Sequence, residues 1–417
     1  MSTRLTRRKF LRDTSAATGA LFLPRPLTPW HPTTDAARIA CVGVGGRGWN
    51  NVHGCSQAGA EIVAFCDVET GRALRKGGVL VAAKKWPKAR RYTDWRVMLE
   101  KEQGNIDGVT VSTPDHMHAP ITMSAIHRGL ATYTEKPLTR TVHEARQLTL
   151  AAKQAGVATQ MGNQHHSGTN YRTLVHLLQA GAIGKIKEAH AWSNRPSWPQ
   201  GIDRPAQTSA IPDGFHWDLW LGGAPERAFT EKAYHPFAWR GWFDFGAGAL
   251  GDMGCHIIDP VVWGLDLGAP SRVHCDAPEP KGETFPTWEI IRYSFSGTRF
   301  TAKDTIDVIW YDGGKKPDPS LARLSKSMEL PANGTLFIGE KGQILTSHGK
   351  QPILLPQKKF EDYEVPKLER INHHGSWLAA IRGEGTTTSH FDYAGPLTET
   401  VLLGTIACRF PGESLEW

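Results

Sequence analysis

The segment Arg38-Ile39-Ala40-Cys41-Val42-Gly43-Val44-Gly45-Gly46-Arg47-Gly48 restricts this chain more than any other stretch. An apolar run that breaks into glycines and then into a helix-like stretch reads as a strand, a tight turn and a helix start. Gly43, Gly45 and Gly48 have the spacing G-x-G-x-x-G, which permits the turn, lets backbone N–H groups approach a pyrophosphate, and lets helix and strand pack closely. A phosphate there meets the positive end of a helix, with Gly46 and Arg47 in the same loop. A second apolar run, Glu61 to Cys66, ends in Asp67. An acid at that strand tip accepts the hydroxyls of an adenosine ribose and repels a 2′-phosphate, so the expected cofactor is NAD. Arg72 nearby keeps NADP as the lesser alternative.

The rhythm continues to about residue 164. Strands are predicted at 38–44, 61–66, 108–112, 131–135 and 157–161, separated by helical stretches at 70–85, 94–102, 118–128 and 141–155. Such alternation gives a doubly wound parallel sheet with its ligand crevice at the carboxyl ends of the strands. The loops after the strands are therefore the candidate site. One carries Ser112-Thr113-Pro114-Asp115-His116-Met117-His118, where His118 is expected to face the nicotinamide end and Asp115 reads as a helix cap. The next carries Glu135-Lys136-Pro137, where proline holds Lys136 extended at the strand end. Gly162-Asn163-Gln164-His165-His166 follows the last strand and brings Gln164 toward the crevice.

The glycine loop, Glu135-Lys136-Pro137 and the later Gly251-Asp252-Met253-Gly254-Cys255-His256 together resemble the Gfo/Idh/MocA (glucose-fructose oxidoreductase, inositol dehydrogenase) family. The resemblance implies an α/β protein with an N-terminal Rossmann domain and a C-terminal α/β domain carrying a large, mainly antiparallel open sheet. It also implies catalytic roles for Lys136, Asp252 and His256. Independently, Asp252 and His256 stand four apart in a helix-like stretch, 248–265, and so share a face on which the acid can orient the imidazole and favour its charged form. Trp239-Arg240 resembles a pair placed near the cofactor, which adds Arg240 to the cofactor contacts. The expected organisation is a leader and linker at 1–37, a NAD-binding domain at 38–164, and a substrate and oligomerisation domain at 165–417.

Between Trp192 and Trp242 the chain is irregular and holds six of its fifteen tryptophans. Indole faces stack on sugar rings, and Arg195, Asp203, Asp213, His216 and Arg240 offer hydroxyl partners; the plainer reading of these rings is core. Beyond residue 270, stretches at 272–276, 287–295, 299–304 and 334–347 read as antiparallel strands, followed by helices at 373–383 and 394–409.

Composition removes several classes. Of the formal charge of +7, residues 1–37 supply six Lys/Arg against two Asp, leaving about +3, too little to argue for nucleic acid. The six cysteines form no C-x-x-C, and no metal-ligand motif appears, so no metal is expected. Thr6-Arg7-Arg8-Lys9-Phe10-Leu11-Arg12, with a short apolar run and then prolines, resembles a twin-arginine export signal, which implies a periplasmic or otherwise exported protein with no stable membrane anchor. The resulting expectation is an exported, homo-oligomeric NAD-dependent oxidoreductase acting on a sugar, polyol or glycoside hydroxyl with a tightly held cofactor. The rivals are an NAD-dependent glycosidase or lyase that oxidises transiently and eliminates, and a non-catalytic sugar-binding protein.

Overall fold

Six strands with apolar or threonine-rich sequences take up the first part of the described chain: Arg38–Val42 (β1), Glu61–Cys66 (β2), Arg90–Tyr92 (β3), Gly108–Val111 (β4), Ala131–Glu135 (β5) and Thr159–Gly162 (β6). The computed structural model describes residues 36–417 except 72–75. The export-like segment and Arg72 therefore lie outside the described residues. The six strands pair in parallel in the order β3-β2-β1-β4-β5-β6. Side chains alternate across the sheet. Ile39 and Cys41 join Phe65 and Tyr133 in one core, under the helix Arg47–Gln57, while Ala40 and Val42 join Val109 and Val111 in the other, under Trp95–Lys101 and His118–Ile126. Strand order reverses between β1 and β4, so the crevice opens where Gly43 and Ser112 follow those two strands.

Local signals account for several element ends. Thr141 and Glu144 form a reciprocal capping box at the start of Val142–Ala155, and Gly156, at φ 64°, closes that helix in the left-handed conformation. The helix predicted over 70–85 covers only Val79–Lys85 among the described residues, and β3 was missed because its sequence, Arg-Arg-Tyr, carries no apolar signal. The helical stretch 248–265 divides into Gly248–Ile257 and Asp259–Leu265, with Pro260 in the first turn of the second, where its missing N–H costs nothing.

The second sheet has eight strands: Ile186–Trp192 (β7), Pro270–Asp276 (β8), Ile290–Ser296 (β9), Thr305–Tyr311 (β10), Gly334–Gly339 (β11), Gln343–Ser347 (β12), Ile353–Leu355 (β13) and Ser414–Glu416 (β14). Their order is β13-β12-β11-β7-β10-β9-β8-β14, antiparallel except for the β7–β10 pair. The strand expected at 299–304 lies instead at β10, and 334–347 resolves into the β11–β12 hairpin. One face packs on Gly248–Ile257, Asp259–Leu265 and Phe391–Ala407. That last helix is buried along most of its length and also packs on Val142–Ala155, so the two sheets share a core. On the opposite face, Leu324, Met328 and Leu330 cover Trp192, Leu336 and Leu345, whereas Arg272, Arg292 and Asp307 stay in solvent contact.

All six tryptophans of the irregular segment are buried. Trp217, Trp220, Trp239 and Trp242 form a separate core with Phe215, Phe229, Tyr234 and Phe245, and Trp217 stacks on Trp220 at 4.8 Å. The plainer reading holds for most of these rings: an irregular segment without ladder hydrogen bonds is ordered by its own aromatic core. That core is docked by main-chain bonds to the loop after β2, from Thr70 N–H to Gly214 O and from His216 N–H to Val68 O.

Candidate active site

A cleft of about 780 Å³ runs along the carboxyl ends of the parallel strands. At one end it is built from backbone. Gly43 has φ 79° and a Cβ there would stand 2.5 Å from the Ser112 carbonyl oxygen; a Cβ on Gly48 would stand 2.0 Å from that of Gly43. Only glycine allows strand, turn and helix to approach this closely. At Gly46 nothing lies within 4 Å, so the loop is open there. The helix Arg47–Gln57 begins with no side-chain cap and no acid in its first turn; Gly48 N–H is taken by the Gly45 carbonyl at 2.9 Å, and the positive helix start faces the open loop, suited to an anion.

Asp67 accepts from Val44 N–H at 2.9 Å and from Glu69 N–H at 3.0 Å, which fixes its carboxylate on the cleft wall. Burial raises its pKa, against those two donors. His235 and Phe237, from the irregular segment, line the same cleft, as do Trp220 and Trp239. His235 lies 3.6 Å from Glu69. No sequence pattern marked His235 or Phe237, because they arrive on a loop with no period.

Glu135 is the hub of the middle of the cleft. Its Oε1 accepts from Arg47 at 3.0 Å, Asn51 at 2.9 Å and Gln164 at 2.9 Å. Burial works against the charged form, but Arg47 and Asn51 prevail and hold its pKa below the ordinary value. The strand end is thereby locked, and Lys136 follows from it. Ser112, Thr113 and Pro114 line the wall opposite.

His118 lines the cleft, as the loop after β4 implied. Its Nδ1 lies 2.8 Å from the Pro137 carbonyl and Nε2 2.9 Å from the Thr113 carbonyl. Neutral imidazole has a single N–H, so the buried ring donates to one of these two carbonyls and packs its other nitrogen against the second loop. Asp115 departs from its reading as a cap: the helix His118–Ile126 has no side-chain cap, and Asp115 lies buried in the cleft. Burial pushes its pKa up to about 7, against Arg240 and Lys136.

At the far end Lys136 Nζ lies 2.9 Å from Asp252 Oδ1 and also donates to the Asp252 main-chain carbonyl. Arg240 Nε lies 3.3 Å from Oδ1 and Arg195 Nε 3.3 Å from Oδ2. Burial opposes ionisation of Asp252, but Lys136, Arg240 and Arg195 hold it well below the usual carboxylate range. Asp252 and His256 share a face of Gly248–Ile257 and line the same cleft, yet the acid bonds the cations and not the imidazole. His256 Nδ1 is buried with no hydrogen-bond partner. Burial, then Lys136 and the neighbouring imidazoles, push His256 well below its ordinary value, so the expected stabilisation of an imidazolium gives way to a neutral ring. Those neighbours are His348 and His165, whose ring centres lie 5.2 and 5.9 Å from that of His256. His348 was not anticipated; it sits just beyond β12 and meets Tyr171 OH at 2.8 Å. Gln164 and His165 reach the cleft, whereas His166 turns away to Asp259 at 3.0 Å. Among the described residues no group of three His, Cys, Asp or Glu side chains is arranged to hold a metal ion.

Comparison with known proteins agrees with the two-domain fold. Residues 37–163 match the model described as the oxidoreductase family NAD-binding Rossmann fold, and residues 182–316 match its C-terminal alpha/beta domain. A curated relative, a glycosyl hydrolase family 109 protein of Shewanella pealeana, is 28% identical over 165 residues, covering 38% of this chain and only 36% of the relative. Among solved structures, the WlbA dehydrogenase of Bordetella pertussis, in complex with NADH and UDP-GlcNAcA, superposes with TM-score 0.62 at 16% identity, covering 92% of this chain and 99% of the other. Levoglucosan dehydrogenase, in complex with NADH and levoglucosan, does so with TM-score 0.62 at 16% identity, covering 92% and 99%. The two family matches together span well over half of the sequence, and the chain belongs to the Gfo/Idh/MocA oxidoreductase family, with its NAD-binding Rossmann fold.

Proposed function

We propose that this protein oxidises a hydroxyl of a sugar, polyol or glycoside, with Lys136, Asp252 and His256 as the groups that act on substrate. The observation that carries this reading is the convergence of the three side chains at one end of the cleft whose other end holds the glycine loop and Asp67. The glycine loop and the uncapped start of Arg47–Gln57 suit a pyrophosphate, and Asp67 suits the ribose; when bound, NAD supplies the hydride acceptor.

His256, neutral because of burial and the nearby cations, takes the proton of the reacting hydroxyl. Lys136 donates to that oxygen and stabilises the developing alkoxide. Asp252 holds the ammonium at 2.9 Å and keeps it aimed into the cleft. Glu135, itself clamped by Arg47, Asn51 and Gln164, fixes the strand end from which Lys136 projects.

Two names among the similar proteins support a carbohydrate: levoglucosan in one solved complex and a glycosyl hydrolase family in one relative. The second favours a variant of the same chemistry, in which oxidation acidifies a neighbouring C–H, an aglycone leaves and the hydride returns. The twin-arginine-like leader supports export, and outside the cytoplasm a cofactor that dissociated would be lost. The aromatic core at residues 215–245, docked on the loop after β2, supports retention of NAD through turnover. The test is mass spectrometry of products from a panel of free sugars and glycosides, using protein purified and assayed without added cofactor. A keto sugar supports the dehydrogenase, a released aglycone supports the redox-neutral variant, and neither product from a preparation shown to contain NAD overturns both.

A further inference from the structure

The substrate end of the cleft has more positive charge than its own acids balance. Asp252 Oδ1 takes Lys136 and Arg240, and Oδ2 takes Arg195, so three cations share one carboxylate. Of the other acids nearby, Glu135 is balanced by Arg47 at 3.0 Å, and Asp115 accepts the Ala247 N–H and is partly protonated near neutral pH. Both arginines address Asp252 through Nε, while Nη1 of Arg195 goes to the Asn194 amide oxygen at 2.9 Å and Nη1 of Arg240 to the Phe237 carbonyl at 3.2 Å. Those oxygens are neutral, so neither contact reduces the excess. The imidazoles register the same field: Lys136 and Arg195 help push His348 down to about 4, after burial and His165. Partly buried cations in excess of their counter-ions are costly unless an anion completes the site. The cofactor's phosphates belong to the glycine loop at the opposite end. The missing anion therefore comes with the substrate.

We propose that this site takes a sugar bearing a carboxylate, a uronic acid or its glycoside, and that Arg195, from the loop after β7, reads that carboxylate. The inference rests on the reading of the cleft as a carbohydrate site and specifies its substrate class. Arg195 suits the task because its side chain is the most exposed of the three cations, at 31% against 20% for Arg240 and 13% for Lys136, and its planar fork matches a carboxylate.

The experiment uses the NAD-loaded full chain and pairs of probes that differ only in charge: glucuronate, galacturonate and mannuronate, each against its primary amide, with both equilibrium binding and turnover measured. At least one acid is expected to bind about tenfold more tightly than its amide, the scale of one charge-assisted hydrogen bond. Arg195→Gln is expected to shrink that ratio to about twofold by weakening the acid and not the amide, and Arg195→Lys, which keeps the charge without the fork, to give an intermediate ratio. Equal binding of acid and amide in every pair, binding of neither member of any pair, or a preference that survives in Arg195→Gln overturns the proposal. Tighter binding of the acid with no oxidation of any probe supports the anion site and contradicts the sugar oxidoreductase reading. Oxidation of the neutral amides as readily as the acids supports that reading and contradicts this one.

Discussion

The two ends of the cleft are built from different materials. The cofactor end is backbone: glycines that allow a 2.0 Å-scale approach where any side chain would collide, a helix start left uncapped, and one acid held by two main-chain N–H groups. The substrate end is side chain: Lys136, Arg195, Arg240, Asp252, His165, His256 and His348 come from six separate parts of the sequence, the first four held by ion pairs and the imidazoles by ring contacts. A backbone site has its specificity in local sequence and suits a fixed ligand. A side-chain site can be re-dressed one residue at a time without disturbing the fold, which is where relatives sharing this architecture are free to differ.

The sharpest way to separate the two ends is to disable one and measure the other. Lys136→Met is expected to lower kcat by about a thousandfold, within the range for a lost acid–base partner, with NAD affinity within about twofold of the parent. Isothermal titration with NAD beside steady-state kinetics reads both. Loss of NAD binding in this variant would mean that the ends are not independent.

The reverse experiment acts on the glycines. Gly48→Ala forces Cβ against the Gly43 carbonyl and is expected to weaken NAD binding by about a hundredfold, or about 2.7 kcal/mol. Gly46→Ala meets no atom within 4 Å but keeps φ 55° and ψ −112°, so its cost should be backbone strain in the fold, about 1–3 kcal/mol, with a smaller loss of NAD affinity than Gly48→Ala. Equal effects of the two would show that close packing is not what the motif protects.

A smaller effect is expected at Asp67. Asp67→Ala removes the ribose acceptor and the charge that repels a 2′-phosphate, so NAD should bind about tenfold more weakly and its advantage over NADP should narrow. Binding isotherms for both cofactors check this, and an unchanged NAD-to-NADP ratio would contradict it.

The smallest change concerns pH. His256 is depressed below the ordinary imidazole value by burial and by the charges around it, so its base form persists as pH falls through about 6.5 and is lost only below that, at the folded-state pKa. The acid limb of kcat/KM is therefore expected below the ordinary histidine range. Neutralising Lys136 should move the limb upward, because it removes one of the charges that lowers the imidazole. A limb at or above 6.5 in the parent enzyme would assign the base to another group.

The contrast between the ends also explains what the sequence made legible. The cofactor end was readable because each requirement is local: a strand, a turn that only glycine permits, an acid at the next strand tip. Lys136, Asp252 and His256 were recognisable as motifs, but their connections were not, and the expected Asp252–His256 bond is replaced by an Asp252–Lys136 ion pair between residues far apart in the chain. Asp115 looked like a cap because Asp before a helix usually is one; burial beside Arg240 is a tertiary fact. His348 and His235 sit on loops with no periodicity to announce them. The tryptophans left two readings open, a sugar-stacking surface and a core, and only the packed rings decide for core in most of them.

In the proposed reaction His256 and Lys136 would handle the hydroxyl proton, and NAD held on the glycine loop would supply the hydride acceptor. Stopped-flow absorbance of NAD-loaded protein mixed with a sugar that it converts tests this directly, because reduced nicotinamide must form in a single turnover whether the reaction ends in net oxidation or returns the hydride. The expected result is a transient or lasting rise in reduced nicotinamide that is abolished in Lys136→Met although that variant still holds NAD. Product formation with no reduced nicotinamide at any time would contradict the account.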